Sequence, residues 1–336
     1  MQFGGQGKPP VGVVFDCDMG TTVDDVLALA LLYGLQGKNE IRVAGLSVSY
    51  PNLRAAEFAD ALARFYMGEP GPFSVNFAIG LHTASKMANE TPMVAGLLDK
   101  KTPEGKPVYL HTIEKMNDTA DPVALIRNAL TAQYDQNGMV ILAGAAMDTV
   151  KVLDLPGCRD LISRKVRYLT VAAGAYPSGQ PEARILRDIP SAKRLFAEWP
   201  TPIVASGYEV GESLLYPGAS IEKDFAWSPA HPVADAYRAY KPMPYDAPSW
   251  AMTAVLYAVR PMENYFKLSE PGTITVTDDG RTQFNPSAEG KHRYLIADPA
   301  QKDRIVQAYT EIASMKPVRP QRFRPQQKKQ DDPPKK

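Results

Sequence analysis

An apolar run at residues 11–15 leads straight into a loop with four aspartates, Asp16, Asp18, Asp24 and Asp25, within ten positions. An apolar segment with helical spacing follows from Val26. This order constrains the chain more than any other stretch, because it reads as buried strand, acidic loop and helix. Asp is a common helix N-cap, so one or two acids at such a junction need no further reason. Four acids at one junction repel one another unless a positive charge lies among them. Hard divalent cations such as Ca²⁺ and Mg²⁺ select oxygen ligands of this kind. The helix N-terminus adds partial positive charge of its own, which favours ionised Asp24 and Asp25.

The alternation of apolar runs and helical spacing continues. Ile41–Val48 reads as a second buried strand, residues 52–66 as a helix and 73–79 as a third strand. Residues 81–120 read as an irregular surface excursion, with His82 and His111 exposed and without partners. Helices are expected at 122–134, 147–153, 189–199, 249–259 and 303–314, and strands at 139–143, 166–173 and 202–205. Residues 273–277 and 293–297 suit a late hairpin. Strands alternating with helices predict an α/β fold, an open, mostly parallel, Rossmann-like sheet flanked by helices, over residues 11–315. Ligands of such sheets sit beyond the carboxyl ends of the strands, where the acidic loop falls. Residues 1–10 and 316–336 have almost nothing to bury and are expected to be flexible tails.

A net charge of +1 over 336 residues gives no global field for nucleic acid or an anionic membrane, so neither is expected as a partner. No apolar run is long enough to cross a bilayer. The first ten residues lack a signal-peptide core. Cytoplasm is the default location, and periplasm the alternative if an export signal has been removed. Cys17 and Cys158 form no metal spacing and no disulfide framework. Cys17 is expected to be a small buried side chain.

Asp16-x-Asp18-x-Gly20, then Asp24-Asp25 opening a helix, then a strand and Asn52, resembles the nucleoside hydrolase family of inosine–uridine-type N-ribohydrolases. The loop has two more residues before the Asp pair than the commonest family form, like that of a divergent bacterial branch. The likeness runs on through 141–148, 169–174, 188–204 and 249–256. It implies a nucleoside hydrolase-like fold, a bound Ca²⁺ and cleavage of the N-glycosidic bond of a nucleoside or related ribosyl substrate. Such a bond breaks through an oxocarbenium-like centre, attacked by a water that a carboxylate deprotonates and a cation acidifies. The resemblance assigns Asp24 as that base, Asp18, Asp25 and the Gly144 carbonyl as metal ligands, and Asp16 as their supporting partner. It places Asn52 near the sugar and implies a homo-oligomer. Trp250, at a helix start, suits either a stacked base or the core.

Two departures bear on function. The family's last carboxylate ligand falls at Ala251, within Ser249-Trp250-Ala251, and a methyl cannot ligate a cation. Asp246, five residues upstream, is not expected to replace it. The ribose-binding Glu-aromatic-Asn of the family corresponds to Glu182-Ala183-Arg184. A guanidinium there is a fixed cation, able to compensate the acids in place of Ca²⁺ or to bind an anionic ligand group. Two readings follow: a metal-dependent N-ribohydrolase, or a catalytically impaired relative that binds a ribosyl or sugar ligand, or a partner, with Ca²⁺ weakly held or lost.

Overall fold

Residues 11–17 carry apolar side chains on both faces, and β1 (Val11–Cys17) is accordingly a strand buried from two sides. Val13, Phe15 and Cys17 point into one core and Val14 into a second, as the two-residue period of a strand requires. The computed structural model describes residues 9–68 and 77–318. In it β1 is flanked by β2 (Ile41–Val48) and β3 (Ile79–Leu81) on one side. On the other side lie β4 (Gly138–Ala143), β5 (Val166–Ala172) and β6 (Ile203–Ser206). All six are parallel. Two short strands, β7 (Leu215–Tyr216) and β8 (Ala247–Pro248), pair with each other outside this sheet. The sheet is completed by β9 (Phe266–Leu268), β10 (Gly272–Val276), β11 (Thr282–Pro286) and β12 (His292–Ala297). Its order is β11-β10-β12-β6-β5-β4-β1-β2-β3, with β9 paired to β12.

From β1 the chain steps outward to β2 and β3, then returns to lay β4 against the opposite side of β1. That reversal opens a crevice beyond the carboxyl ends of β1 and β4, the place where open α/β sheets hold ligands. The acidic loop leaves β1 there, and Gly144 leaves β4 there.

Helix Val23–Gly37 is buried at every position from Val23 to Leu35. It can be apolar all round because it is enclosed on every side. It packs on β2, beside helix Trp250–Val259, which itself lies on β4 and β5, and helix Lys302–Ala313 packs against it as well. Gly34 permits the close approach, since a Cβ there would lie 2.1 Å from the carbonyl oxygen of Ile312. Helix Leu53–Met67 joins the same core. Helices Pro122–Thr131 and Ile189–Glu198 cover the opposite face of the sheet.

The mostly parallel sheet and its flanking helices are the architecture the sequence predicts. The two strands expected as a late hairpin, β10 and β12, are antiparallel neighbours, but the hairpin itself is corrected: β10 turns into β11, and β12 also joins the parallel run beside β6. The polar composition of Thr282-Gln-Phe-Asn-Pro hid β11, although Asp279-Gly280 is a strong hairpin-turn signal and Gly280 has φ of 83°. Most of the expected 73–79 strand lies outside the described residues. The 81–120 excursion holds one short α-helix, Pro92–Leu98, and a single 3-10 turn, Met116–Asp118. Among the described residues no helix is long and apolar enough to cross a membrane.

Candidate functional site

The acids converge because three elements meet at the crevice. Asp16 lies on β1 and is fully buried, with the Ser47 hydroxyl of β2 donating to its Oδ2. Gly144 packs against it: a Cβ would fall 2.0 Å from Ser49 Oγ and 2.9 Å from Asp16 Oδ1. Asp24 and Asp25 occupy the first turn of the 23–37 helix. Asp24 reaches the far end of the chain, its Oδ2 accepting from the Ala251 backbone N–H (2.5 Å) and its Oδ1 from that of Met252 (3.4 Å). Ser249, the N-cap residue of the 250–259 helix, makes no side-chain cap bond, so Asp24 caps that helix from another element.

Helix Ala183–Arg187 brings in two cations. Glu182 caps it, its Oε2 accepting from the N–H groups of Arg184 and Ile185 and from Gly174. The Arg184 side chain is only 7% exposed, and its guanidinium lies among the acids. Its nitrogens are 3.7 Å from Asp18 Oδ1, 3.8 Å from Asp24 Oδ2, 3.9 Å from Asp25 Oδ1 and 3.9 Å from Glu182 Oε1. Nε also donates to the carbonyl of Ala143, the last residue of β4. Arg187, three residues on, holds Asp18 Oδ2 at 2.9 Å and lies over the Tyr50 ring at 5.6 Å.

The charges sort themselves by neighbour. Burial pushes Asp16 far above the usual carboxylate range, against the Ser47 hydrogen bond. Burial and then the charge of Asp18 do the same to Asp25. Burial would raise Asp18 too, but the guanidiniums of Arg184 and Arg187 hold it below its ordinary value. Asp24 is pushed up by burial to about 6, with Arg184 and the Ala251 and Met252 N–H groups opposing. Burial would lower Arg184, and the carboxylates of Asp18, Asp25, Glu182 and Asp24 more than reverse it. The two guanidiniums thus favour the ionised form most strongly at Asp18, while burial disfavours it at Asp16 and Asp25.

No protein-family model matches the chain, and no curated protein does. Solved structures do. A purine-preferring ribonucleoside hydrolase from Gardnerella vaginalis superposes with a TM-score of 0.66 at 18% identity, over 90% of this chain and 98% of the other. An inosine–uridine-preferring nucleoside hydrolase from Bacillus anthracis gives 0.64 at 15% identity, over 90% and 99%. The chain has the nucleoside hydrolase fold. The same comparison reaches the type III effector protein XopQ, solved with adenosine diphosphate ribose, with a TM-score of 0.63 at 14% identity, over 92% and 96%.

The Ca²⁺ that the nucleoside hydrolase resemblance implies does not fit the residues at this site. An ion gripped by the oxygens of Asp18, Asp24 and Asp25 at about 2.3–2.6 Å would have to share the space that the Arg184 guanidinium fills. The Ala143 carbonyl, next to Gly144, is already engaged by Arg184. Ala251, fully buried, offers a methyl and gives its N–H to Asp24. Among the described residues no three His, Cys, Asp or Glu side chains are placed to hold one metal ion. Asp18 Oδ1 and both oxygens of Asp25 have no hydrogen-bond partner.

The remaining candidates lie around this centre. Asn52 caps the 53–67 helix, its Oδ1 accepting from Ala55 N–H and its Nδ2 donating to the Ala88 carbonyl. Trp250 is half-buried and stacks on Tyr208, with centroids 5.7 Å apart. Asp246 is tied to the Gly218 N–H and does not replace the carboxylate missing at Ala251. Cys17 is a free, buried core thiol. The expectation of partnerless surface histidines is corrected. His82 is half-buried with Nδ1 2.8 Å from Asp148 Oδ2, and His111 Nδ1 meets the Ile113 carbonyl at 2.8 Å. Sequence reasoning also missed Arg187, although its spacing of three from Arg184 puts both on one side of a helical turn. It missed Tyr240 as well, whose hydroxyl is pushed up by burial and by the charges of Asp24 and Asp25.

Proposed function

We propose that this chain binds a ribosyl ligand carrying an anionic group, such as a nucleoside phosphate or nucleoside diphosphate sugar, and does not cleave it by metal-assisted water attack. The observation that carries this reading is the guanidinium pair, Arg184 within the acids and Arg187 above them. Arginine matches phosphate oxygens through paired N–H donors. The Arg187 side chain is 30% exposed, so it can exchange Asp18 for a ligand phosphate. Tyr50, Tyr208 and Trp250 supply aromatic faces beside the crevice for a base. That a protein of similar fold was solved with adenosine diphosphate ribose supports a ligand of this chemistry.

Hydrolysis is disfavoured by what the acids are doing. Asp18 is held low by two guanidiniums, which makes it a weak base. Asp24 spends both oxygens on capping a helix. Calorimetric titration with adenosine diphosphate ribose, ribose 5-phosphate and adenosine tests the reading. The phosphorylated ligands should bind more tightly, and Arg187→Ala should erase the preference. Equal affinity for all three in the wild type would refute it.

One observation favours the hydrolase reading: Asp24 at about 6 is poised as a general base would be. Wild type and Asp24→Asn should both leave p-nitrophenyl riboside and a nucleoside panel intact. Turnover by the wild type that Asp24→Asn abolishes would establish the hydrolase instead.

A further inference from the structure

We infer that Arg184 and Ala251 together exchange a divalent cation for one built into the chain, so that the acid cluster takes no metal. The inference concerns the cluster alone and stands or falls apart from the identity of the ligand. Three features meet at one point. The guanidinium sits within 3.9 Å of Asp18, Asp24 and Asp25 at once. The one backbone carbonyl it touches, that of Ala143, is taken by its Nε. Where a closing carboxylate would stand, Ala251 offers only a buried methyl, and its backbone N–H is already given to Asp24.

The two residues depend on each other. An aspartate at 251 would add a fifth ionisable acid around a guanidinium that already has four, without opening space for an ion. Loss of the guanidinium alone would free the oxygens of Asp18 and Asp25 that lack partners, yet leave the coordination shell open at Ala251. Only both changes together should restore a shell of hard oxygen donors, which is what Ca²⁺ selects.

The test uses the metal alone. Thermal melting in EDTA and in CaCl₂, with calorimetric Ca²⁺ titration, is run on the wild type, Ala251→Asp, and the double variant Arg184→Asn with Ala251→Asp. The wild type and Ala251→Asp should melt at the same temperature in both buffers and take up no ion. The double variant should melt well below the wild type in EDTA, recover by several degrees in CaCl₂ and bind one Ca²⁺ per chain. Uptake of Ca²⁺ by the wild type would overturn the inference, as would a folded double variant that binds none. If the double variant does not fold, the first two proteins still decide: Ca²⁺ uptake by either refutes the built-in cation, and its absence from both upholds it.

Discussion

Arg184 is buried with its charge, and that sets the cost of losing it. Removing one partner of a buried ionic network leaves the others uncompensated, at about 3–5 kcal/mol. Arg184→Met should lower unfolding free energy by that order in urea titrations. Arg187→Ala, at a partly exposed pair, should cost less than about 1 kcal/mol. The four acids were legible in the sequence as a cluster needing a cation, and Arg184 as either its countercharge or a contact to an anionic ligand. What Asp24 does was not, because its partners are backbone N–H groups 227 and 228 positions away, and a backbone group carries no residue-type signal. His82 escaped for a related reason: Asp148 is 66 positions off and nothing local marks the pair.

At the scale of elements, the 250–259 helix and the 23–37 helix hold each other in register. Asp24→Ala removes a cap and strands buried N–H groups, a loss of about 1–3 kcal/mol. Because the cap lies at the helix start, amide exchange should accelerate first at Ala251 and Met252. Gly34→Val should cost at least as much, since the added side chain meets the Ile312 backbone and neither helix can retreat. Chemical denaturation of the two variants checks both figures. Element type was readable wherever apolar periodicity was strong, as in Ile41–Val48. It failed for β11, whose polar residues sit at the sheet edge and bury little. Short helices such as Cys158–Lys165 and Gly218–Asp224 also escaped, being fixed by tertiary packing more than by pattern.

For the whole molecule, the parallel sheet and the place of its crevice followed from strand–helix alternation, while the content of the crevice needed the fold. The two cores also set the pH response. Burial among Phe65, Phe225 and Trp227 lowers His231 to about 3, and burial lowers His292 to about 4. Both histidines stay neutral in the fold below the pH at which the unfolded chain protonates. Their contribution is thus present above the ordinary value of 6.5 and drains away as pH falls toward 4 and 3. Each histidine costs at most about 1.4 kcal/mol per pH unit in that window. Melting temperatures between pH 7 and pH 4 should therefore fall, and His231→Phe should flatten the slope.

The central claim is that a guanidinium has taken the place of the metal in a ribosyl-binding crevice. It is tested most directly by titrating adenosine diphosphate ribose into the wild type, once in EDTA and once in CaCl₂. The account predicts the same dissociation constant in both, weakened by Arg187→Ala; binding seen only with Ca²⁺ present would contradict it.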